Sequence, residues 1–304
     1  MRAILEGMTP NEPHTGKAEP RVVSKWGHER RLEFIDWRLC WEGRINRSDL
    51  TAFFGISVPQ ASLDIARYIE LAPNNARYDR SNKVYVASET FQALYPGTTP
   101  ERYLNELLAR SVGVLQPELG FSGWRPPMDM LANPARGVDQ ATLLTLLFAI
   151  RNAKRVDVTY QSMSASEPER RQISPHALGY DGFRWHVRAF CHSRGSYRDF
   201  VIARVLRASP AQVDALGADA DAAWHRRVDL VIGPNPALSP GAKRVIELDY
   251  AMQAGQVTIS CRQALLFYTL KRLGLLPGQE APPEVQQIAL LNRDDVQAYL
   301  PRVN

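Results

Sequence analysis

Near the start of the chain, apolar positions recur with the period of a helix. In residues 30–41 they fall at Leu32, Ile35 and Leu39, flanked by Phe34 and Trp41, and Gly43 can end that helix. A second, short helix is predicted to run to about Phe54, capped by Asn46 or Ser48, with Leu50, Phe53 and Phe54 turned inward. Gly55 supplies the tight turn that follows. The run Ser57-Val58-Pro59-Gln60 has the form of a capping box with proline in the first turn, so a third helix starts there. Its inward side is expected to hold Val58, Ala61, Ile65, Tyr68 and Ile69. The stretch ARYDRSNKVYVASETF then reads as a β-hairpin with Asp79-Arg80-Ser81-Asn82 at its tip.

Further along, the pattern divides the chain into domains. Residues 1–28 are expected as a flexible arm, polar and interrupted by Pro10, Pro13 and Pro20. Residues 29–95 form the first domain. Residues 96–137, rich in proline and glycine, are expected as a linker or crossover. Residues 138–215 open with a strongly apolar segment, 138–152, read as a buried helix. An alternating, strand-rich stretch follows it. In residues 216–304, a short helix within 218–232 leads into a strand. RVIELDYAM and GQVTISC then read as strands and RQALLFYTLKRLG as a helix. That helix carries Leu265, Leu266, Tyr268, Leu270 and Leu273, more apolar surface than a small end domain needs, so it is expected at a homodimer interface. The fold class is α+β and multidomain.

Charge and composition narrow the function. No apolar run approaches the roughly 20 residues that span a bilayer, and no signal-peptide pattern opens the chain, so a cytoplasmic protein is expected. Cys40, Cys191 and Cys261 are odd in number and far apart, which argues against a disulfide framework or a zinc site. No phosphate-binding loop, no nucleophile elbow and no metal spacing among the histidines is present. The expectation is a protein without cofactor or catalysis. From Lys154 to Arg207 ten basic residues face five acidic ones, an excess of five equal to the whole chain's net charge of +5. That middle segment suits an anionic partner. Residues 21–95 hold eleven basic and nine acidic side chains, so that domain is only weakly basic.

A short helix, a glycine turn and a capped second helix make a helix-turn-helix, and the hairpin behind it makes a wing. In that arrangement the N-terminal residues of the second helix lie nearest the bases of duplex DNA. The candidates are Ser57, Gln60, Ser62 and Arg67 on that helix, and Arg77, Arg80 and Lys83 on the wing. Gln60 has the donor–acceptor pair that suits adenine, unless the capping box takes it. Ser62 can bond a base or a phosphate, and Arg67 a phosphate. Asp64 is expected to orient a neighbour or repel wrong sites.

The middle segment carries the most specific pattern. VDVTYQSM is followed by RRQISPHALGYDGFRWHVRAFCHSRGSYRDFVIARV. This resembles the WYL domain of bacterial transcription regulators, an Sm- or SH3-like small β-barrel. The naming motif falls at Trp185-His186-Val187, with His for Tyr and Val for Leu. Ser174-Pro175-His176, Arg188-Ala189-Phe190-Cys191 and Arg198-x-Phe200 before Arg204 match better. The order of winged helix, WYL domain and a small α/β terminal domain resembles the CapW/BrxR group, dimeric repressors encoded near anti-phage defence systems. The resemblance implies a palindromic double-stranded operator and a regulatory ligand that is nucleic acid or a nucleotide-like anion. By position it implies ligand contacts from Tyr160, Ser174, His176, Trp185, His186, Arg188, Arg198 and Arg204. From the residues alone, Tyr160 and Trp185 offer stacking faces and the arginines offer forks for phosphate, while a core role stays open for Trp185. The alternative is an accessory RNA- or single-strand-binding module that assists an effector enzyme.

Overall fold

The computed structural model describes residues 20–116, 119–131, 134, 136–279 and 281–300, with backbone alone for 20–26. The arm expected over 1–28 lies outside them for its first nineteen residues. The remainder is helical, because α1 runs Pro20–Glu42. The chain divides into two compact units, 1–132 and 133–304.

In the first unit, β1 (Arg44–Ile45) follows α1, then α2 (Arg47–Phe54) and α3 (Val58–Leu71). Asn46 caps α2 in a full capping box with Asp49, and Gly55 ends it at φ 65°. That left-handed conformation is one glycine adopts without a Cβ penalty. At α3 only half of the expected box forms. Ser57 accepts the Gln60 backbone N–H, and the Gln60 side chain points elsewhere. The hairpin β2 (Ala76–Asp79) and β3 (Val84–Ala87) pairs as expected, and β1 adds a third strand on the far side of β3. Leu32, Phe34, Ile35, Trp37 and Leu39 of α1 pack with Leu50, Ala61, Ile65 and Tyr68.

Two expectations fail in this unit. Val58 is not inward but exposed, since at the first turn of α3 it has not yet reached the core. The stretch expected as a linker contains α4 (Pro100–Ser111), capped by Thr99. It then returns Phe121 and Ser122 to the core, where the Trp37 indole donates to Ser122 Oγ at 3.1 Å. Glu106 accepts the backbone N–H groups of Phe121 and Ser122. Proline and glycine here shape a buried return rather than a free connection.

The second unit opens with α5 (Gln140–Arg151). It is not buried all round. Leu146 and Ala149 pack on the sheet, whereas Leu144, Leu147 and Phe148 are exposed. The sheet has the order β7-β6-β5-β4-β8, from β4 (Lys154–Tyr160), β5 (Glu169–Tyr180), β6 (Trp185–Cys191), β7 (Ser196–Val201) and β8 (Val205–Asp214). All pairs are antiparallel, with bulges between Pro175 and Ala177 on β5 and along β4–β8. The expected barrel is not closed, because β7 and β8 remain the two edges and do not pair.

Beyond α6 (Ala222–His225), a second sheet has the order β10-β9-β11, from β9 (Arg227–Pro234), β10 (Val257–Arg262) and β11 (Ile288–Leu290). RVIELDYAM is not a strand. Its first six residues, Arg244–Asp249, belong to α7 (Pro240–Asp249), started by Ser239, whose side chain accepts the Ala242 N–H behind Pro240 at the helix start. The cap outweighs the β-favouring Val-Ile pair, of which only Ile246 is buried. On α8 (Leu266–Leu273), Leu266 and Leu270 fill the core of their own domain, and Leu265, Tyr268 and Leu273 are partly covered. The surplus apolar surface expected there lies instead on α7, at Val245 and Leu248, the latter 81% exposed. A last short helix, α9 (Arg293–Gln297), closes this core with Val296.

Candidate functional site

The helix-turn-helix is organised by two buried carboxylates. Asp36 of α1 accepts from the Tyr68 hydroxyl at 2.6 Å, the Thr98 hydroxyl at 2.8 Å and the backbone N–H groups of Leu94 and Tyr95. Burial, then the Asp36 carboxylate, pushes the Tyr68 phenol well above its ordinary range, so it stays a donor. Asp64 of α3 is fully buried and is held by Arg31 Nε at 2.6 Å, His28 Nδ1 at 3.1 Å and Gln60 Nε2 at 3.0 Å. It thus clamps α3 to α1 and orients Gln60, the first of the two roles expected of it. One of the two Gln60 amide hydrogens is spent on Asp64, which leaves the other hydrogen and the carbonyl as a donor–acceptor pair.

Ser62 donates back to the Val58 carbonyl, and Arg67 pairs with Glu70 at 2.9 Å on the exposed side of α3. Exposed Val58 and Leu63 lie on this helix too, apolar groups of the kind that meet a thymine methyl. Val58 is missed when apolar residues are assigned to the core by default. On the wing, Arg44 and Arg77 both stand opposite Val86 in register, so they share one face of the sheet about 10 Å apart. The neighbouring row contains the buried Ile45, which places the arginine row on the solvent face. Arg44, Arg77, Arg80 and Lys83 are exposed, and only Arg77 among them has an acidic neighbour among the described residues, Asp79, whose carboxyl it helps to lower. Arg44 escapes sequence reading because β1 is two residues long.

In the second unit, Tyr160, Arg188 and Arg198 line one cavity of about 370 Å³ together with Ser162, Ser164, Arg171, Arg194, Tyr197, Asp199, Phe200 and Tyr268. Cross-strand register sets Arg188 against Asp199 and Ala189 against Arg198, so the two arginines belong to opposite faces of the sheet. The cavity unites them by taking lining from both faces of edge strand β7. Four guanidinium groups meet there with a single carboxylate. Arg171 is buried, pairs with Glu169 at 2.7 Å and lies 5.8 Å over the Tyr160 ring, while its Nε has no hydrogen-bond partner. Arg198 bonds only Ser196 Oγ, and Arg194 has no acidic partner among the described residues.

The other residues implied by the resemblance lie elsewhere. Tyr160 itself is 6% exposed, and its hydroxyl accepts the Val201 N–H, so it offers the cavity a wall rather than an open stacking face. Ser174 is buried against His192 at 2.8 Å. His176 bonds Asp221 at 3.0 Å, and burial lowers its basicity despite that carboxylate. His186 bonds Asp181 at 2.9 Å and packs on Tyr268, leaving its buried Nδ1 without a partner. Burial pushes Asp181 up, but the bonds from His186, Arg184 and two backbone N–H groups prevail and hold its carboxyl far below the usual range. Arg204 sits half-buried in a short 3-10 turn. Trp185 is not core: it is half exposed and packs against Tyr180 at 4.9 Å. With Phe183, Arg136 and Arg184 it lines a separate cavity of about 290 Å³.

A winged helix followed by an antiparallel sheet domain and a small α/β domain defines the architecture of a multidomain DNA-binding regulator. The comparisons agree domain by domain. Residues 27–109 match the BrxR transcriptional regulator winged helix-turn-helix domain, 141–210 the WYL domain, and 227–296 the BrxR transcriptional regulator C-terminal dimerization domain. The chain is 46% identical to a protein of Escherichia coli (strain KTE188) named DNA-binding transcriptional repressor CapW, over 92% of this chain and 94% of that one. Proteins of the same name from Pseudomonas aeruginosa and Stenotrophomonas maltophilia are 46% and 42% identical, each over 91% of this chain and 93% of theirs. The chain belongs to the CapW family.

Proposed function

We propose that the protein is a homodimeric, sequence-specific transcriptional repressor whose hold on a palindromic operator is released when an anionic, nucleic-acid or nucleotide-like ligand enters the arginine-lined cavity. The names of the relatives support the repressor role. For the ligand, the supporting observation is the convergence of Arg171, Arg188, Arg194 and Arg198 on one cavity whose lining includes a single carboxylate, Asp199, while Glu169 and Asp221 hold Arg171 and Arg188 from outside the lining. Ser57, Gln60, Ser62 and Arg67 present the first turns of α3 to the major groove, joined by Leu63. Arg44, Arg77, Arg80 and Lys83 take phosphates. Dimerisation uses the exposed apolar side of α7, since two-fold symmetry lets each copy read one half-site. On the family resemblance, the regulated genes are those of an anti-phage defence operon.

The test is a gel shift on the DNA upstream of the protein's own gene. Replacing Gln60, Ser62 and Arg67 together by Ala removes the specific shift. Replacing Arg194 and Arg198 by Ala spares it and abolishes release by ligand. Leu248→Asp converts the dimer to a monomer in light scattering and weakens operator binding with it. A shift insensitive to the α3 substitutions would reject the reading. The second reading, a single-strand-binding accessory module, is favoured by one observation: the exposed Tyr180–Trp185 pair beside Phe183 and two arginines fits base stacking. It requires tighter binding to single strands than to any duplex repeat.

A further inference from the structure

Arg188 carries one positive charge between two carboxylates, and it holds them unequally. Asp221 takes both Nε at 2.7 Å and Nη2 at 3.0 Å. It is 1% exposed, and it also bonds His176 and the backbone N–H of Trp224, which it caps at the start of α6. Asp199 makes a single contact to Nη1, at 3.2 Å. It stands directly opposite Arg188 on β7, an edge strand with a neighbour on one side only. Of the two acids, Asp199 is the one that lines the cavity.

Burial pushes the Asp199 carboxyl up, against the pull of Arg188. The Tyr268 phenol of α8 lines the same cavity and is pushed up by burial and by Asp199. Asp199 is therefore a poorly solvated carboxylate, held by one contact from Arg188 and by the Tyr268 hydroxyl, at the place where an arriving anion would seek the Nη1 edge of Arg188. Two anions competing for one guanidinium edge in a partly buried site cannot both keep it without an energetic cost.

Resting on the cavity reading above, we infer that Asp199 is a built-in occupant of the ligand site: it holds the Nη1 edge of Arg188 in the unliganded protein and is displaced from it by a phosphate-bearing ligand. Asp221 keeps its grip throughout, so Arg188 stays anchored and presents one edge, first to Asp199 and then to the ligand. Displacement moves an edge strand and frees the carboxylate beside Tyr268, which ties the occupancy of the cavity to the position of α8 in the C-terminal domain. Asp199 also sets a threshold, since an anion that binds too weakly does not displace it.

The test is the affinity of the full-length dimer for a 5′-phosphorylated thymidine dinucleotide, with inorganic phosphate as a second probe, measured for wild type, Asp199→Asn and Arg198→Ala. Removing the competing charge while keeping the shape is expected to tighten the dinucleotide about tenfold, equivalent to about 1.4 kcal/mol. Operator release then occurs at a correspondingly lower concentration. Inorganic phosphate gains by a similar factor, so the advantage of the dinucleotide over it narrows or stays level. A merely structural aspartate gives no gain in affinity when neutralised. Should Asp199→Asn lose its cooperative melting transition, Asp199→Ser carries the same expectation. If wild type binds the dinucleotide through Arg198 and the Asp199 variants bind it no more tightly, the inference is overturned and the cavity reading stands. If neither wild type nor the Asp199 variants bind either probe in an Arg198-dependent way, both fall together.

Discussion

The two units bury charge differently. The N-terminal unit buries carboxylates, Asp36 and Asp64, and leaves the wing cations Arg44, Arg77, Arg80 and Lys83 exposed. The second unit buries a carboxylate, Asp221, and adds two buried guanidinium groups, Arg171 and Arg188, each paired with acids. A buried acid can be satisfied by neutral hydroxyl and backbone donors, as Asp36 is, so it organises helices without consuming surface cations. A buried cation needs acids, and anything that binds it must compete with them. The first arrangement suits the uniform phosphates of a duplex, which demand little selectivity. On the proposed function, the second suits a ligand that must be chosen.

This contrast can be broken most decisively at Arg188. Arg188→Met strands Asp221 and Asp199 and is expected to cost about 3–5 kcal/mol in urea unfolding. Adding Asp221→Asn should recover part of that loss, and a double variant no more stable than the single one would show that the pair is not the unit of stability. Asp36→Ala leaves two hydroxyls and two backbone N–H groups unpaired and is expected to cost about 2–4 kcal/mol, read by the fluorescence of nearby Trp37. A loss below about 1 kcal/mol would contradict the role given to that hub.

Arg44→Ala and Arg77→Ala sharpen the other side. Each should change folding stability by less than about 0.5 kcal/mol. Each should lower the salt dependence of DNA affinity by about one phosphate contact, alike on operator and random sequence. The smallest effect is one of pH. Burial lowers the basicity of His176 below that of the unfolded chain, so between neutral pH and about pH 5 the unfolded state takes up more protons. Stability must then fall as pH falls through the unfolded histidine range. A drop in melting temperature of about 1–3 °C, reduced in His176→Asn, is expected.

Much of the first unit is legible in the chain. Asn46, Gly55 and Ser57 mark helix ends by local chemistry, and Asp79–Asn82 marks a hairpin, because each acts within four residues of itself. The assignment of 96–137 to a linker fails because Phe121 finds its partners on α1, more than eighty residues away. RVIELDYAM misleads because its Val-Ile pair favours a strand, while Ser239 and Pro240 lie just outside the apolar run and start a helix. In the cavity, residue type pointed to Arg188 and Arg198 but not to Arg171, Arg194 or Tyr268, which come from β5, the β6–β7 turn and α8.

The sequence by itself determined the order of elements in the winged helix, the cationic bias of the middle segment and the family to which the chain belongs, since these depend on local capping, periodicity and motif. The tertiary structure alone decided which charges are spent and which are free. Gln60 gives one amide hydrogen to Asp64, Tyr160 turns from ligand platform to wall, and Arg188 and Arg198 meet around an edge strand from opposite faces. The reason is that a side chain's availability depends on burial and on partners brought from distant parts of the chain, and neither is encoded within the reach of a local pattern.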